Sequence, residues 1–256
     1  RLLATSCAVI LFLLSAPIFS THLWAWSESS FIMFAFTGLL LLALYIVNNS
    51  SLPVLIAASA CVGLAIATRY IGVVLLLPLL FGLLVFNQKP RSHKVCDAII
   101  ALFIACIPIG IWLLRNFIAA ETATDRSFTA HWFSQQHLES LVYTLSNFVL
   151  PMPLPLWGNL LLLIFWLTLF AIILWRFYQT YRTGDVVSSA GMIFVSLNIV
   201  FIVSYLAFLF VSISFVDAAT PLDDRILSPV LISLIIVIVM MIFSLLPLNQ
   251  RPAIKL

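Results

Sequence analysis

The sequence predicts an all-α polytopic membrane protein with about eight transmembrane helices and one further helix lying at the extracytoplasmic interface. Three observations carry this. The 256 residues are 64% hydrophobic and 8% charged, with a mean hydropathy of +1.21. A soluble domain carries about 25% charged residues, and no soluble fold of this length hides so much apolar surface. The apolar runs are long and continuous, unlike the alternating segments of about 10 residues that build a membrane barrel. Finally, Glu28, Arg69, Arg115, Asp125, Arg126, Asp223, Asp224 and Arg225 each fall at or just beyond the end of an apolar run.

Taken in order, the runs mark spans at 2–20, 30–47, 53–69, 71–86, 98–114, 157–175, 189–214 and 226–246. A spanning helix needs about 20 apolar residues, so 53–69 and 71–86 are at or below the lower limit. They are two short helices packed within protein or one re-entrant pair, joined at Thr68-Arg69-Tyr70-Ile71-Gly72. Orientation follows from Lys and Arg in short loops. Arg1, the loop Lys89-Pro90-Arg91-Ser92-His93-Lys94, the pair Arg176 and Arg182, and the tail residues Arg251 and Lys255 share one side. That side holds eight of the twelve cationic residues and is read as cytoplasmic. Seven of the nine acids fall opposite: Glu28, Glu121, Asp125, Glu139, Asp217, Asp223 and Asp224.

The whole of 1–256 reads as a single transmembrane domain. The first run has no A-x-A cleavage site and is followed by further spans, so it is not a signal peptide. The chain is expected to begin inside a longer protein and to be incomplete at its N-terminus. Cys7, Cys61, Cys96 and Cys106 are scattered and read as small membrane-buried hydrophobes. Nothing points to nucleic acid. The longest stretch between spans, 115–156, is an extracytoplasmic loop. In it Phe128, Trp132, Leu138, Leu141, Leu145 and Phe148 recur at mostly helical spacing, with Gln135, Gln136, Glu139, Ser140 and Asn147 between them. An amphipathic surface helix closed by Pro151-Met152-Pro153-Leu154-Pro155 is expected, with an ordinary solvated loop as the alternative.

Ionisable groups at membrane depth are costly and tend to mark sites. Glu28 opens the second span after His22-Leu23-Trp24-Ala25-Trp26-Ser27. It gains from the helix dipole there, although Ser27 or Ser29 would cap the helix more cheaply. Arg69, followed by Tyr70, must find an anion or reach the surface; its fork suits a phosphate or carboxylate, and an ion pair with Glu28 satisfies it equally. Arg115 and Asn116 follow the fifth span, where snorkelling accounts for an arginine taken alone. Asp223, Asp224 and Arg225 precede the last span. The acid pair suits a divalent cation, though adjacent acids in a surface loop are more commonly just solvated. His131 and His137 lack a third partner at ligand spacing, so no zinc site is expected.

Four blocks resemble the GT-C superfamily of integral-membrane glycosyltransferases, in particular the bacterial relatives of the dolichyl-phosphate-mannose–protein mannosyltransferases. They are Trp26-Ser27-Glu28-Ser29-Ser30-Phe31, Gly63-Leu64-Ala65-Ile66-Ala67-Thr68-Arg69-Tyr70-Ile71-Gly72, Trp112-Leu113-Leu114-Arg115-Asn116-Phe117 and Asp224-Arg225-Ile226-Leu227-Ser228-Pro229. The resemblance implies transfer of a sugar from a polyprenyl-phosphate carrier to a lipid, glycan or protein acceptor on the extracytoplasmic face of a bacterial inner membrane. It implies Arg69, Arg115 and Arg225 at the carrier phosphate, with Tyr70 and Asn116 beside them. Glu28 would orient the acceptor or the sugar, and Asp223 and Asp224 would bind sugar hydroxyls or hold Arg225. The family's base usually lies in the first extracytoplasmic loop; here that turn is only His22 to Ser29, so the base is expected upstream. Two other classes stay open. A lipid or sugar transporter or flippase would want charge near the bilayer midplane, and the later spans carry none. A non-catalytic membrane subunit needs no base.

Overall fold

The structure, a computed structural model, describes residues 27–48, 51–120, 129–130, 134–148, 154–182 and 190–245, together with Ser6, 9–11, Ser15 and Ile18. Most of the predicted span 2–20, the stretch 22–26, Glu121, Asp125, Arg126, Phe128, His131, Trp132, 151–153 and the tail with Arg251 and Lys255 lie outside the described residues.

Every regular element among the described residues is helical: α1 Ser27–Asn48, α2 Leu52–Thr68, α3 Tyr70–Phe86, α4 Arg91–Ala120, α5 Gln135–Asn147, α6 Leu156–Arg182, α7 Ala190–Phe215 and α8 Asp224–Leu245. Four of these are long and apolar enough to cross a membrane: α1, α4 over Arg91–Ala119, α7, and α8 over Asp224–Ile242. The protein is therefore an integral membrane protein. The apolar helices α2, α3 and the Leu156–Ile172 part of α6 are shorter. Along α4, Ile99, Phe103, Ile107, Ile111, Leu114 and Ile118 form one exposed stripe. An apolar stripe of that length has no place in water and fits a lipid-facing surface. Cys96 and Cys106 are also exposed on this helix, and with Cys61 they are free thiols.

The chain divides into two compact units. One comprises Trp24–Phe133 and Ser188–Thr220, and the other Arg1–Leu23, Ser134–Val187 and Pro221–Leu256.

The first unit holds α1 to α4 and α7, packed through small residues. A Cβ on Gly38 of α1 would meet the Ala58 carbonyl oxygen of α2 at 3.2 Å, and one on Gly63 of α2 would meet the Ala105 carbonyl oxygen of α4 at 2.8 Å. Such close backbone approach is how membrane helices gain dispersion contact where no hydrophobic effect separates them from lipid. On α7, Tyr205 meets Phe31 and Phe201 meets Phe36, so α1 and α7 are antiparallel. Ser204 lies beside Val74 and Leu197 beside Gly82, so α3 and α7 are antiparallel too. α2 runs back along α1 toward the Glu28 end, and α3 returns from there toward the Tyr45 end.

The link between them is a tight turn. Arg69 is extended, at φ −149° and ψ 132°. Its N–H donates to the Ala65 carbonyl at 3.1 Å, and Gly72 N–H donates to the Arg69 carbonyl at 2.8 Å. Thr68 Oγ1 donates to the same Ala65 carbonyl at 2.8 Å, which satisfies the end of α2. α3 starts in a tight 3₁₀ winding over Tyr70–Leu75, becomes α-helical at Leu76–Phe81, and widens to π-type over Gly82–Phe86.

At the opposite end of this unit, Asp97 is drawn inward. Tyr45 Oη donates to its Oδ2 at 2.7 Å, Asn87 Nδ2 at 3.3 Å and Lys89 Nζ at 3.1 Å. Lys89 also donates to the Tyr45 hydroxyl and lies over its ring. The Tyr45 hydrogen bond is the largest cause holding the Lys89 ammonium above the ordinary lysine pKa; the Asp97 carboxylate adds to it, against partial desolvation. The sign follows: the charged form is favoured by folding, so the stabilisation is complete below about pH 10.4 and fades as pH rises through the raised value. Lys89→Met is expected to flatten the alkaline limb of a melting-temperature profile. An unchanged limb would mean that the lock contributes nothing.

In the second unit, α5 packs on α6, and α6 on α8. Ser134 caps α5 in a capping box, its Oγ accepting from His137 N–H at 3.4 Å while His137 Nδ1 accepts from Ser134 N–H at 3.3 Å. A helix runs over Gln135–Asn147, inside the stretch expected to hold one, and part of it is buried against protein. Leu138 is 54% exposed, whereas Val142, Thr144 and Ser146 are buried. Ser140 and Thr144 donate to the Leu222 carbonyl at 3.1 and 2.8 Å. The hydroxyls bind the helix to the segment that leads into α8, so polar residues turn inward.

Candidate functional site

The first unit brings Glu28, Arg69 and Tyr70 to one end. Glu28 stands in the first turn of α1, and Arg69 is the turn between α2 and α3. Arg69 Nη1 lies 2.9 Å from Glu28 Oε1, at ion-pair distance but off the angle of a hydrogen bond. Glu28 is 3% exposed, and the Arg69 side chain keeps a partial opening. Ser27 Oγ lies 3.5 Å from the other carboxylate oxygen. A buried carboxylate must be paired, and Arg69 supplies the partner that sequence position alone suggested.

Tyr70 leans edge-on against Trp112 of α4, with ring centroids 5.1 Å apart. That contact brings the start of the Trp112–Phe117 block to the same end as Glu28. α4 continues to Ala120, so Arg115 and Asn116 lie within the helix rather than opening a loop. Arg115 is exposed and Asn116 half-buried. The neighbours of Arg115, namely Leu114, Phe117 and Ile118, are exposed apolar residues. Its side chain is therefore exposed among exposed apolar residues near the end of the stripe. It makes no ion pair among the described residues.

Asp223, Asp224 and Arg225 belong to the second unit. Asp223 is the N-cap of α8: its Oδ1 accepts from Ile226 N–H at 2.9 Å. Asp224 and Arg225 are half-buried in the first turn. Ser228 Oγ donates to the Arg225 carbonyl at 2.9 Å. Asp217 makes a similar local turn in the first unit, accepting from Ala219 N–H at 3.1 Å. If capping is the role of Asp223, Asp223→Ala should lower stability by about 1 kcal/mol, while Asp223→Asn, which caps as well, should be nearly neutral. Melting in detergent micelles checks this; equal losses for both would show that the charge itself matters. No group of three or more metal-ligating side chains occurs among the described residues.

Sequence reasoning missed Tyr45 and Asp97, which form the polar cluster at the other end. Their separation along the chain hides the pairing; the one available signal was an acid among basic residues at the start of an apolar run. A shallow depression lined by Arg91, Ser92, Val95, Cys96, Ile99 and Ile100 also lies at that end, away from Glu28.

No family model matches the chain, and no curated protein or solved structure is similar to it.

Proposed function

We propose that the protein is a GT-C-type membrane glycosyltransferase, threaded eight times through a bacterial inner membrane. It moves a sugar from a polyprenyl-phosphate carrier to an acceptor on the extracytoplasmic face. The observation that carries the reading is the end of the first unit. There a buried Glu28–Arg69 pair sits beside Tyr70, and Arg115 is exposed among apolar side chains on the adjoining helix. A guanidinium so placed suits a phosphate whose tail lies in the bilayer. In the reaction the acceptor oxygen bonds to the anomeric carbon as the bond to the carrier phosphate breaks. A carboxylate takes the acceptor proton, and polyprenyl phosphate leaves. Arg115 and Arg69 stabilise the departing phosphate, Tyr70 and Asn116 flank it, and Glu28 orients a hydroxyl.

The test is transfer from a radiolabelled polyprenyl-phosphate sugar in sealed membrane vesicles of both orientations. Transfer is expected only where the donor meets the extracytoplasmic face, and Arg115→Gln should reduce it at least about tenfold. Wild-type vesicles that transfer nothing in either orientation would sink the reading. A second reading, a non-catalytic membrane subunit, has its own support: Glu28 and Arg69 compensate each other, and Asp223 is occupied in capping. Under it no transfer occurs and Arg115→Gln changes nothing.

A further inference from the structure

We propose that the basic end of α4 is a binding site for an anionic phospholipid, with the headgroup phosphate at Arg91 and Ser92 and an acyl chain along Val95, Ile99 and Phe103. The site is independent of the transferase reading. It starts from spacing: Ser92, Val95, Cys96, Ile99 and Phe103 recur every three or four residues, so they share one face of the helix. All are exposed, Ile99 at 62% and Phe103 at 70%. At the top of this face Arg91, Ser92, Val95, Cys96, Ile99 and Ile100 line a shallow depression, open outward. α4 crosses the membrane, so its polar first turn stands at headgroup level and the stripe below it meets hydrocarbon. One occupant matches both parts: a molecule with an anionic head and an apolar tail.

The charge balance selects the head. Arg91 is exposed and has no ion pair among the described residues. Asp97, the acid nearest to it in sequence, would cancel it if turned outward. It is instead held inside by Tyr45, Asn87 and Lys89. Lys94 donates to the Leu84 carbonyl at 3.3 Å, which leaves Arg91 as the cation overhanging the depression. A zwitterionic lipid brings its own ammonium to compensate its phosphate, whereas an anionic one does not. A guanidinium fork and a serine hydroxyl suit the uncompensated phosphate.

Native mass spectrometry of the full chain, offered equimolar phosphatidylglycerol and phosphatidylcholine in detergent, tests the proposal. The protein should retain phosphatidylglycerol about fivefold over phosphatidylcholine, the effect of one cation near an anionic surface. Arg91→Gln should bring the ratio close to one, and Arg91→Lys should keep most of the preference. Ile99→Asn should weaken retention of both lipids. Circular dichroism checks that each variant keeps its helix, and the wild-type comparison needs no variant. Equal retention of the two lipids by wild type would overturn the proposal, as would a preference that survives Arg91→Gln. Loss of the bound lipid to millimolar inorganic phosphate would mean a free-anion site instead.

Discussion

Replacing Arg69 with alanine is expected to cost about 3–5 kcal/mol, because it strips a buried carboxylate of its ion-pair partner. Glu28 is 3% exposed at the start of α1, and its side chain is too short to reach water. The reverse change should be milder. With Glu28→Ala, Arg69 keeps a long stem and a partly open side chain, so its guanidinium can reach the headgroup layer. The double variant should therefore be more stable than Arg69→Ala alone. A double-mutant cycle in micelles, followed by thermal unfolding, measures the coupling. Additive losses in the double variant would show that the two charges do not depend on each other.

Gly72→Ala is expected to lose about 1–3 kcal/mol or more. The added Cβ would stand 2.8 Å from the Ala65 oxygen and from the nitrogen and Cα of Ile66. All three are backbone atoms of α2, which cannot turn aside as a side chain would. Only movement of the whole turn relieves the clash, and that turn carries Arg69. Gly110 of α4 provides the opposite sign, since a Cβ there meets nothing within 4 Å. Gly110→Ala should be neutral or stabilising, because alanine orders a helix at lower entropic cost. Melting temperatures of the two variants in one micelle system check the pair. A stable Gly72→Ala protein would mean that α2 and α3 do not meet so closely.

Where length and apolarity decide the structure, the sequence is a good guide. α7 was expected over 189–214 and runs Ala190–Phe215, and α8 was expected over 226–246 and runs Asp224–Leu245. α4 is longer than expected at both ends. Its first two turns are polar because they stand outside the hydrocarbon, and a search for apolar runs takes them for loop. The Glu28–Arg69 pair was legible because both charges end apolar runs at one membrane level. The Tyr45–Asp97 bond was not, as it joins residues 52 apart and one of them passes for an apolar residue. The protein-facing side of α5 was not legible for a different reason. Ser140 and Thr144 give their hydroxyls to a buried carbonyl, which makes burial favourable for groups that a hydrophobic pattern assigns to water. The sequence reads Asp223, Asp224 and Arg225 at one membrane face with Glu28 and Arg69; they belong to the second unit.

α2 has 17 residues and α1 has 22. At about 1.5 Å per residue these reach about 25 and 33 Å, against a hydrocarbon core of about 30 Å. The 3₁₀ opening of α3, at about 2.0 Å per residue, recovers roughly 3 Å of the shortfall on its side of the hairpin. The α2–α3 flank is thus hydrophobically thin. Lipids beside that flank would have to thin to match it, at fractions of a kcal/mol per Å of mismatch. A molecule with such a flank is expected to favour thinner membrane.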